Sequence, residues 1–199
     1  MINFNNLNES PPYKIFLSYY EKALQKNNPD IEAILIASLN QGTQEVDARF
    51  VNLKYIQNND WIFFTNYGSP KATQFESHNQ ITAVFFWHTI NVQIRIKAKI
   101  KKLNNKICDE HFQNRSFKKN ALAISSSQSK KIASYEQIEK KYQLIVESNS
   151  VLVERPSHWG GYSFTPYYFE FWEGHKSRIN KREVFELKNG DWQNFFLEP

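Results

Sequence analysis

Apolar positions recur along this chain with two periods, and the switches between them mark its elements. After Pro11-Pro12, the residues Tyr13, Phe16, Leu17, Tyr20 and Leu24 are spaced i, i+3, i+4, i+7 and i+11, which places them on one face of a helix. That helix stops at Asn27-Asn28-Pro29, because a proline cannot continue it. The run 33–39 is short and apolar, as for a buried strand, and Gln41-Gly42-Thr43 turns the chain. Strands follow over 48–56 and 61–65, parted by Asn58-Asn59-Asp60, so an antiparallel meander is expected. Residues 81–87 are nearly continuous in apolar side chains and predict a central strand. Val92, Ile94, Ile96, Ala98 and Ile100 then alternate with Gln93, Arg95, Lys97, Lys99 and Lys101. One face of that strand enters a core, and the other is a solvated basic ladder.

Residues 104–131 read as helices and loops ending in the polar run 125–131, whose serines suggest a flexible linker. Ser134-Tyr135-Glu136-Gln137 is a capping-box pattern, opening a helix with Ile138, Tyr142 and Ile145 on one face. An aromatic strand over 167–172 and a hairpin over 184–197 complete the pattern. The Asn-rich residues 1–11 read as a flexible lead, and 1–199 as a single domain without internal repeats. The fold class this implies is mainly β with peripheral helices (α+β), arranged as an antiparallel barrel.

The junction 61–71 carries the first hint of chemistry. An apolar strand stops at Thr65-Asn66, turns on Gly68 and restarts as a helix at Ser69, with Pro70 suited to the first helical position and Lys71 following. A helix N-terminus with a lysine beside it can cradle a phosphate. It can equally be ordinary connection chemistry. Lys and Arg outnumber Asp and Glu by 25 to 20, a modest excess that suits anionic ligands without singling out nucleic acid. The lone Cys108 excludes an intrachain disulfide and fits a reducing, cytoplasmic setting. The polar start has no signal-peptide pattern, and no segment approaches the roughly 20 apolar residues of a membrane helix. His78, His88, His111, His158 and His175 lack metal-ligand spacing, so no metal is expected. His88 and His158 suit turn or packing roles, and Trp61, Trp87 and Trp192 suit a core.

Several segments together carry a resemblance. They are 49–54 (RFVNLK), 64–71 (FTNYGSPK), Gln93, Gln128-Ser129, 159–162 (WGGY), 171–174 (FWEG) and 178–182 (RINKR). In this order and spacing the chain, from about Ala33 to its last residue, resembles the pyridoxamine 5′-phosphate oxidases, FMN enzymes with a split-barrel fold. The resemblance implies a homodimer with FMN at the subunit interface. It implies oxidation of pyridoxamine or pyridoxine 5′-phosphate to pyridoxal 5′-phosphate, with O2 reduced to peroxide. It places Arg49, Lys71 and Ser129 at the FMN phosphate, and Thr65, Gln93, Gln128, Trp172 and Arg182 around the rest of the cofactor. Phe50, Val51, Phe64 and Pro70 join that cofactor set, and Lys54 lies between flavin and substrate. Arg115, with His111 and Lys119, would hold the substrate phosphate. Arg178 and Asn180 would cover the substrate ring as the catalytic pair. Residue types agree: phosphate dianions favour arginine forks and helix N-termini, and a flavin supplies the redox step.

The departures from the family pattern are local. Pro70 stands where an arginine is usual, His111 for a tyrosine, Lys119 for a serine and Asn180 for a histidine, while residues 1–10 lack the basic segment that closes over substrate. Residues 119–124 also keep little of the family's segment there. Two alternatives follow: a divergent split-barrel flavoprotein acting on another small substrate, and a non-catalytic FMN- or pyridoxal-phosphate-binding protein. Arg49 and Lys54 are an odd number of positions apart, so a regular strand would point them to opposite faces. A bulge or a site shared between subunits would reconcile them.

Overall fold

In the computed structural model, which describes residues 1–148 and 154–199, six strands close into a ring. They are β2 (Ala33–Asn40), β3 (Glu45–Gln57), β4 (Asp60–Asn66), β5 (Gln80–Trp87), β6 (Val92–Lys102) and β7 (Trp159–Glu173). The ring runs β3-β2-β5-β6-β7-β4 and back to β3, every pairing antiparallel. The barrel splits along β7. Its first half pairs with β4, whereas its second half, from Tyr168, pairs with β8 (Lys181–Lys188), which continues into β9 (Asp191–Phe196). The hairpin between β8 and β9 turns on Asn189 and Gly190, both at positive φ, as a two-residue turn requires. This is the expected β-rich barrel with outlying helices.

Alternation decides which side chains fill the ring. Val92, Ile94, Ile96, Ala98 and Ile100 of β6 are buried while Lys97, Lys99 and Lys101 are exposed, as their period of two requires. β5 lies between β2 and β6, the central position its apolar run implied. α1 (Pro11–Gln25) packs its aromatic residues into the core. Phe16 is fully buried, 4.5 Å from Trp61 and 5.5 Å from both Phe85 and Trp87 between ring centroids. The buried face of α1 differs in part from the expected one. Tyr19 and Ala23 are buried with Tyr13, Phe16 and Tyr20, whereas Leu24 is exposed and Leu17 half-buried. The aromatic rings offer the larger contact area, and the helix rotates to seat them.

Residues 1–11 are not a loose lead. β1 (Asn3–Asn5) pairs in parallel with β3, and Ile2 is buried with its N–H bonded to the Tyr20 hydroxyl at 3.0 Å. One apolar residue and three backbone partners anchor a stretch whose polar composition suggested disorder. The helices α2 (Pro70–Ser77), α3 (Asn105–Gln113), α4 (Phe117–Ser125) and α5 (Tyr135–Glu147) lie outside the ring. Ser134 does open α5, without a side-chain capping bond, and Ile138, Tyr142 and Ile145 are half-buried. Among the described residues no helix is long and apolar enough to cross a membrane.

Phe16→Ala should cost about 3–5 kcal/mol, the range for removing a buried aromatic ring. Urea unfolding followed by tryptophan fluorescence measures it; a loss below about 1 kcal/mol would mean that α1 does not support the barrel.

Candidate functional site

The junction between β4 and α2 builds one wall of the site. Asn66, the last residue of β4, accepts the Gly68 N–H on its side-chain oxygen at 2.8 Å, and Ser69 donates its hydroxyl to Asn66 O at 2.7 Å. Ser69 is the N-cap and Pro70 opens α2; the serine hydroxyl makes no capping bond, and the Ala72 N–H bonds to Ser69 O at 2.9 Å. Lys71 is only 7% exposed, and its Nζ donates to Thr65 Oγ1 at 3.0 Å and Ser69 Oγ at 3.1 Å. Both partners are neutral. Burial, and then the nearby charge of Arg49, pull the Lys71 pKa down to about 8. A buried ammonium without a carboxylate is costly, and an oxyanion bound beside it would offset that cost.

Arg49 reaches the same place from β3. Its guanidinium donates to Ser38 Oγ at 2.7 Å and Gln74 Oε1 at 3.1 Å, and lies 3.5 Å from the exposed carboxylate of Asp47. These groups orient the fork, and Asp47 is too exposed to neutralise it strongly.

α3 and α4 supply the opposite wall. They are seated by a small core of Phe112, Ala123 and Trp159, with Phe64 packed against it. The His111 ring lies flat on Phe64, 3.7 Å away with planes 5° apart, and its Nδ1 is 2.8 Å from the Tyr55 hydroxyl. Burial, followed by the positive charges of Arg115, Lys54 and Lys119, lowers the His111 pKa to about 4. The imidazole is therefore neutral at pH 7. Arg115 stands over the Trp159 ring at 4.4 Å and donates to Asn120 Oδ1 at 3.3 Å. Lys54 Nζ is 3.5 Å from Glu32.

These walls enclose a cavity of about 1020 Å³ lined by Arg49, Lys54, Lys71, Arg115 and Lys119, with Asp47 as the carboxylate among its lining residues. The positive charge falls into two groups: Arg49 with Lys71 beside α2, and Arg115, Lys119 and Lys54 around His111. The parity problem of Arg49 and Lys54 has a structural answer. The pairing of β3 with β4 shifts register between Leu53 and Tyr55, which places Lys54 in a bulge, and Arg49 and Lys54 both line the cavity.

Phe50, Val51, Phe64, Thr65, Pro70, Gln128 and Ser129, also singled out from the sequence, line the same cavity. The serine-rich run 125–131 is not a free linker. Gln128 Oε1 lies 3.4 Å from both Thr65 Oγ1 and the Asn66 N–H, and Asn66 Nδ2 donates to Ser126 O at 3.3 Å. Ser129 sits at φ +68°, a strained conformation for a non-glycine residue at a cavity wall.

Five expected residues stand elsewhere. Gln93, Trp172 and Arg182 are cross-strand neighbours in one row of β6, β7 and β8, and none lines the cavity within a single chain. Arg182 is held at 2.8 Å by Glu170, a 2% exposed carboxylate that also pairs with Arg95 at 3.1 Å and accepts the Tyr168 hydroxyl. Arg178 is exposed, at φ +61°, in the loop before β8. Asn180 Oδ1 accepts the His175 N–H at 3.0 Å, so its acceptor serves its own loop. Sequence reasoning missed Tyr55, Glu32 and the platform role of Trp159, because each depends on contacts between distant segments. Among the described residues, no group of three or more His, Cys, Asp or Glu could hold a metal.

Known proteins resemble this chain along most of its length. A family model described as the pyridoxine 5′-phosphate oxidase C-terminal dimerisation region matches residues 159–199. A curated relative from Cytophaga hutchinsonii, named pyridoxine/pyridoxamine 5′-phosphate oxidase, is 37% identical over 94% of this chain and 88% of its own length. Among solved structures, PhzG from Burkholderia lata, in complex with tetrahydrophenazine-1-carboxylic acid, superposes with a TM-score of 0.89 at 21% identity, covering 94% of this chain and 92% of that one. A pyridoxamine 5′-phosphate oxidase-related, FMN binding protein from Nostoc punctiforme has a TM-score of 0.76 at 12% identity, over 96% of this chain and 100% of that one. At such identities the two structures establish the split-barrel fold alone.

Lys71 has a measurable signature. Its folded pKa lies below the unfolded value of 10.5, so between about pH 8 and 10.5 the unfolded chain binds the extra proton and stability rises with pH. Denaturation midpoints of ligand-free protein from pH 7.5 to 10 should show that rise. Lys71→Met should flatten it and weaken protection by inorganic phosphate by about 1.5–3 kcal/mol.

Proposed function

The chain belongs to the pyridoxine/pyridoxamine 5′-phosphate oxidase family, and from that premise we propose that it is an FMN-dependent oxidase. In this reading it converts pyridoxine 5′-phosphate, or pyridoxamine 5′-phosphate with water taken up and ammonia released, to pyridoxal 5′-phosphate, with O2 reduced to H2O2. The observation that carries the reading is the division of cationic residues around one cavity, Arg49 with Lys71 and Arg115 with Lys119. Two phosphorylated molecules, a cofactor and a substrate, each require such a group.

The donor set at Lys71 fits the FMN phosphate. The buried ammonium, the two hydroxyls that orient it and the Arg49 fork form an oxyanion site without a competing buried acid. Gln128 and Thr65, already hydrogen-bonded to each other, would hold the cofactor further along the wall. The chemistry that bound FMN would supply is two-electron redox chemistry at the substrate carbon that bears the amine or hydroxyl. The chain's task is then to bind and orient. Arg115, held over Trp159, grips the substrate phosphate with Lys119, and Lys54 lies between the two ligands.

Gln93, Trp172, Arg178 and Arg182 enter this reading through a second copy. Within one chain they line no part of the cavity, which a homodimer sharing its site across the interface would explain. The family model's dimerisation region, 159–199, contains Trp172, Arg178 and Arg182. Asn180 takes a supporting part here, bracing the loop that carries Arg178. We place the oxidase in the cytoplasm and treat the chain as one FMN-binding domain.

The test is anaerobic. Protein loaded with FMN should bleach on addition of pyridoxine or pyridoxamine 5′-phosphate and recover in air with pyridoxal 5′-phosphate formed. A flavin that stays oxidised with both compounds would overturn the substrate assignment. Arg115→Ala should raise the KM for the phosphorylated substrate by roughly tenfold or more, the loss of a charged hydrogen bond, while FMN affinity stays unchanged. Equal losses in both would dissolve the division of the cavity.

A further inference from the structure

Tyr55 and His111 are 56 residues apart in sequence yet meet at 2.8 Å on the cavity wall. The phenol is the stronger donor of the two, and burial raises its pKa, so it keeps its proton and gives a hydrogen bond to Nδ1. The other ring nitrogen, Nε2, then carries the imidazole proton. Among the described residues Nε2 has no hydrogen-bond partner, and His111 lines the cavity. The charges acting on the ring are all positive, from Arg115, Lys54 and Lys119, and its packing partner Phe64 is uncharged. The ring is held flat on Phe64, so the direction of the N–H is fixed as well as its identity.

We propose that Tyr55 is a positioning residue that locks His111 as the Nε2–H tautomer, so that a neutral imidazole donates a hydrogen bond to the anionic group held by Arg115 and Lys119. This rests on the reading of that end of the cavity as the site of the substrate phosphate. A neutral donor there completes the coordination of a dianion without adding a fourth charge to a crowded cationic cluster. Tyr55 touches neither ligand and acts through His111.

The experiment begins with 15N-histidine-labelled full-length protein at pH 7.5, with His111 assigned by its absence from His111→Phe. Two-bond 1H–15N correlations should show the Nε2–H pattern in the wild type and a mixture of tautomers in Tyr55→Phe. That result needs no substrate, so it stands or falls separately from the oxidase reading. In steady-state assays with pyridoxine 5′-phosphate, Tyr55→Phe should raise KM roughly threefold to tenfold with kcat within about twofold, as for one neutral hydrogen bond. It should add nothing in a His111→Phe background. His111→Gln, whose amide nitrogen can stand in for Nε2, should keep a lower KM than His111→Phe. If pyridoxine 5′-phosphate is not turned over, the affinity for inorganic phosphate, read by titration calorimetry, replaces KM in the same comparisons. An unchanged tautomer in Tyr55→Phe overturns the proposal. So does an equal loss from Tyr55→Phe with and without His111.

Discussion

The pairing of β4 with β7 is the constraint on which the site depends. It closes the ring of strands, and its register sets Asn66, the last residue of β4, opposite Trp159, the first of β7. The turn that delivers Lys71 and the platform that seats α3 and α4 are therefore neighbours by construction. A slip of one residue would send Phe63 outward and Phe64 inward, exchanging core and cavity. Two glycines hold the register open. A Cβ on Gly160 would collide with the Tyr67 ring, and one on Gly161 with Leu103. With both absent, Tyr67 lies against the strand, exchanging hydrogen bonds with the Gly161 N–H and carbonyl at 3.0 and 3.2 Å.

Around that closure the protein separates stability from chemistry. Inside the ring, tightly clustered aromatic rings and β-branched side chains leave little polar to satisfy. The cavity outside it does the reverse, desolvating a lysine and crowding three cations about a neutral histidine. A site that is unfavourable while empty and favourable around anions fits a ligand-binding wall, and the barrel core stabilises what the wall does not.

Much of the barrel was legible because its strands bury one face. β6 could be read residue by residue from its alternation, and the helix start at Ser69 from its local chemistry. The aromatic strand at 167–172 was seen without its first half, since Trp159 to Pro166 mixes glycines and polar residues that earn their place through pairing with β4. The run 125–131 looked like a linker because composition does not record that Gln128 meets β4. Residues 1–11 looked loose because one buried isoleucine outweighs many asparagines. At the site, residue types pointed to the cationic groups. The bulge at Lys54 and the meeting of Tyr55 with His111 arise from tertiary geometry, for which no local pattern exists.

Glu170 ties one more part of the protein together. Its buried carboxylate is shared by Arg95, Arg182 and the Tyr168 hydroxyl, which come from three different strands. Sharing makes these positions genetically interdependent. Loss of either arginine would leave Glu170 with one cation and the Tyr168 hydroxyl, so the first replacement would be tolerated far better than the second. Replacing Glu170 as well could rescue an arginine variant, by removing the charge that had lost its partner. Divergence at this end of the barrel is therefore expected to proceed in coordinated sets of substitutions rather than one residue at a time.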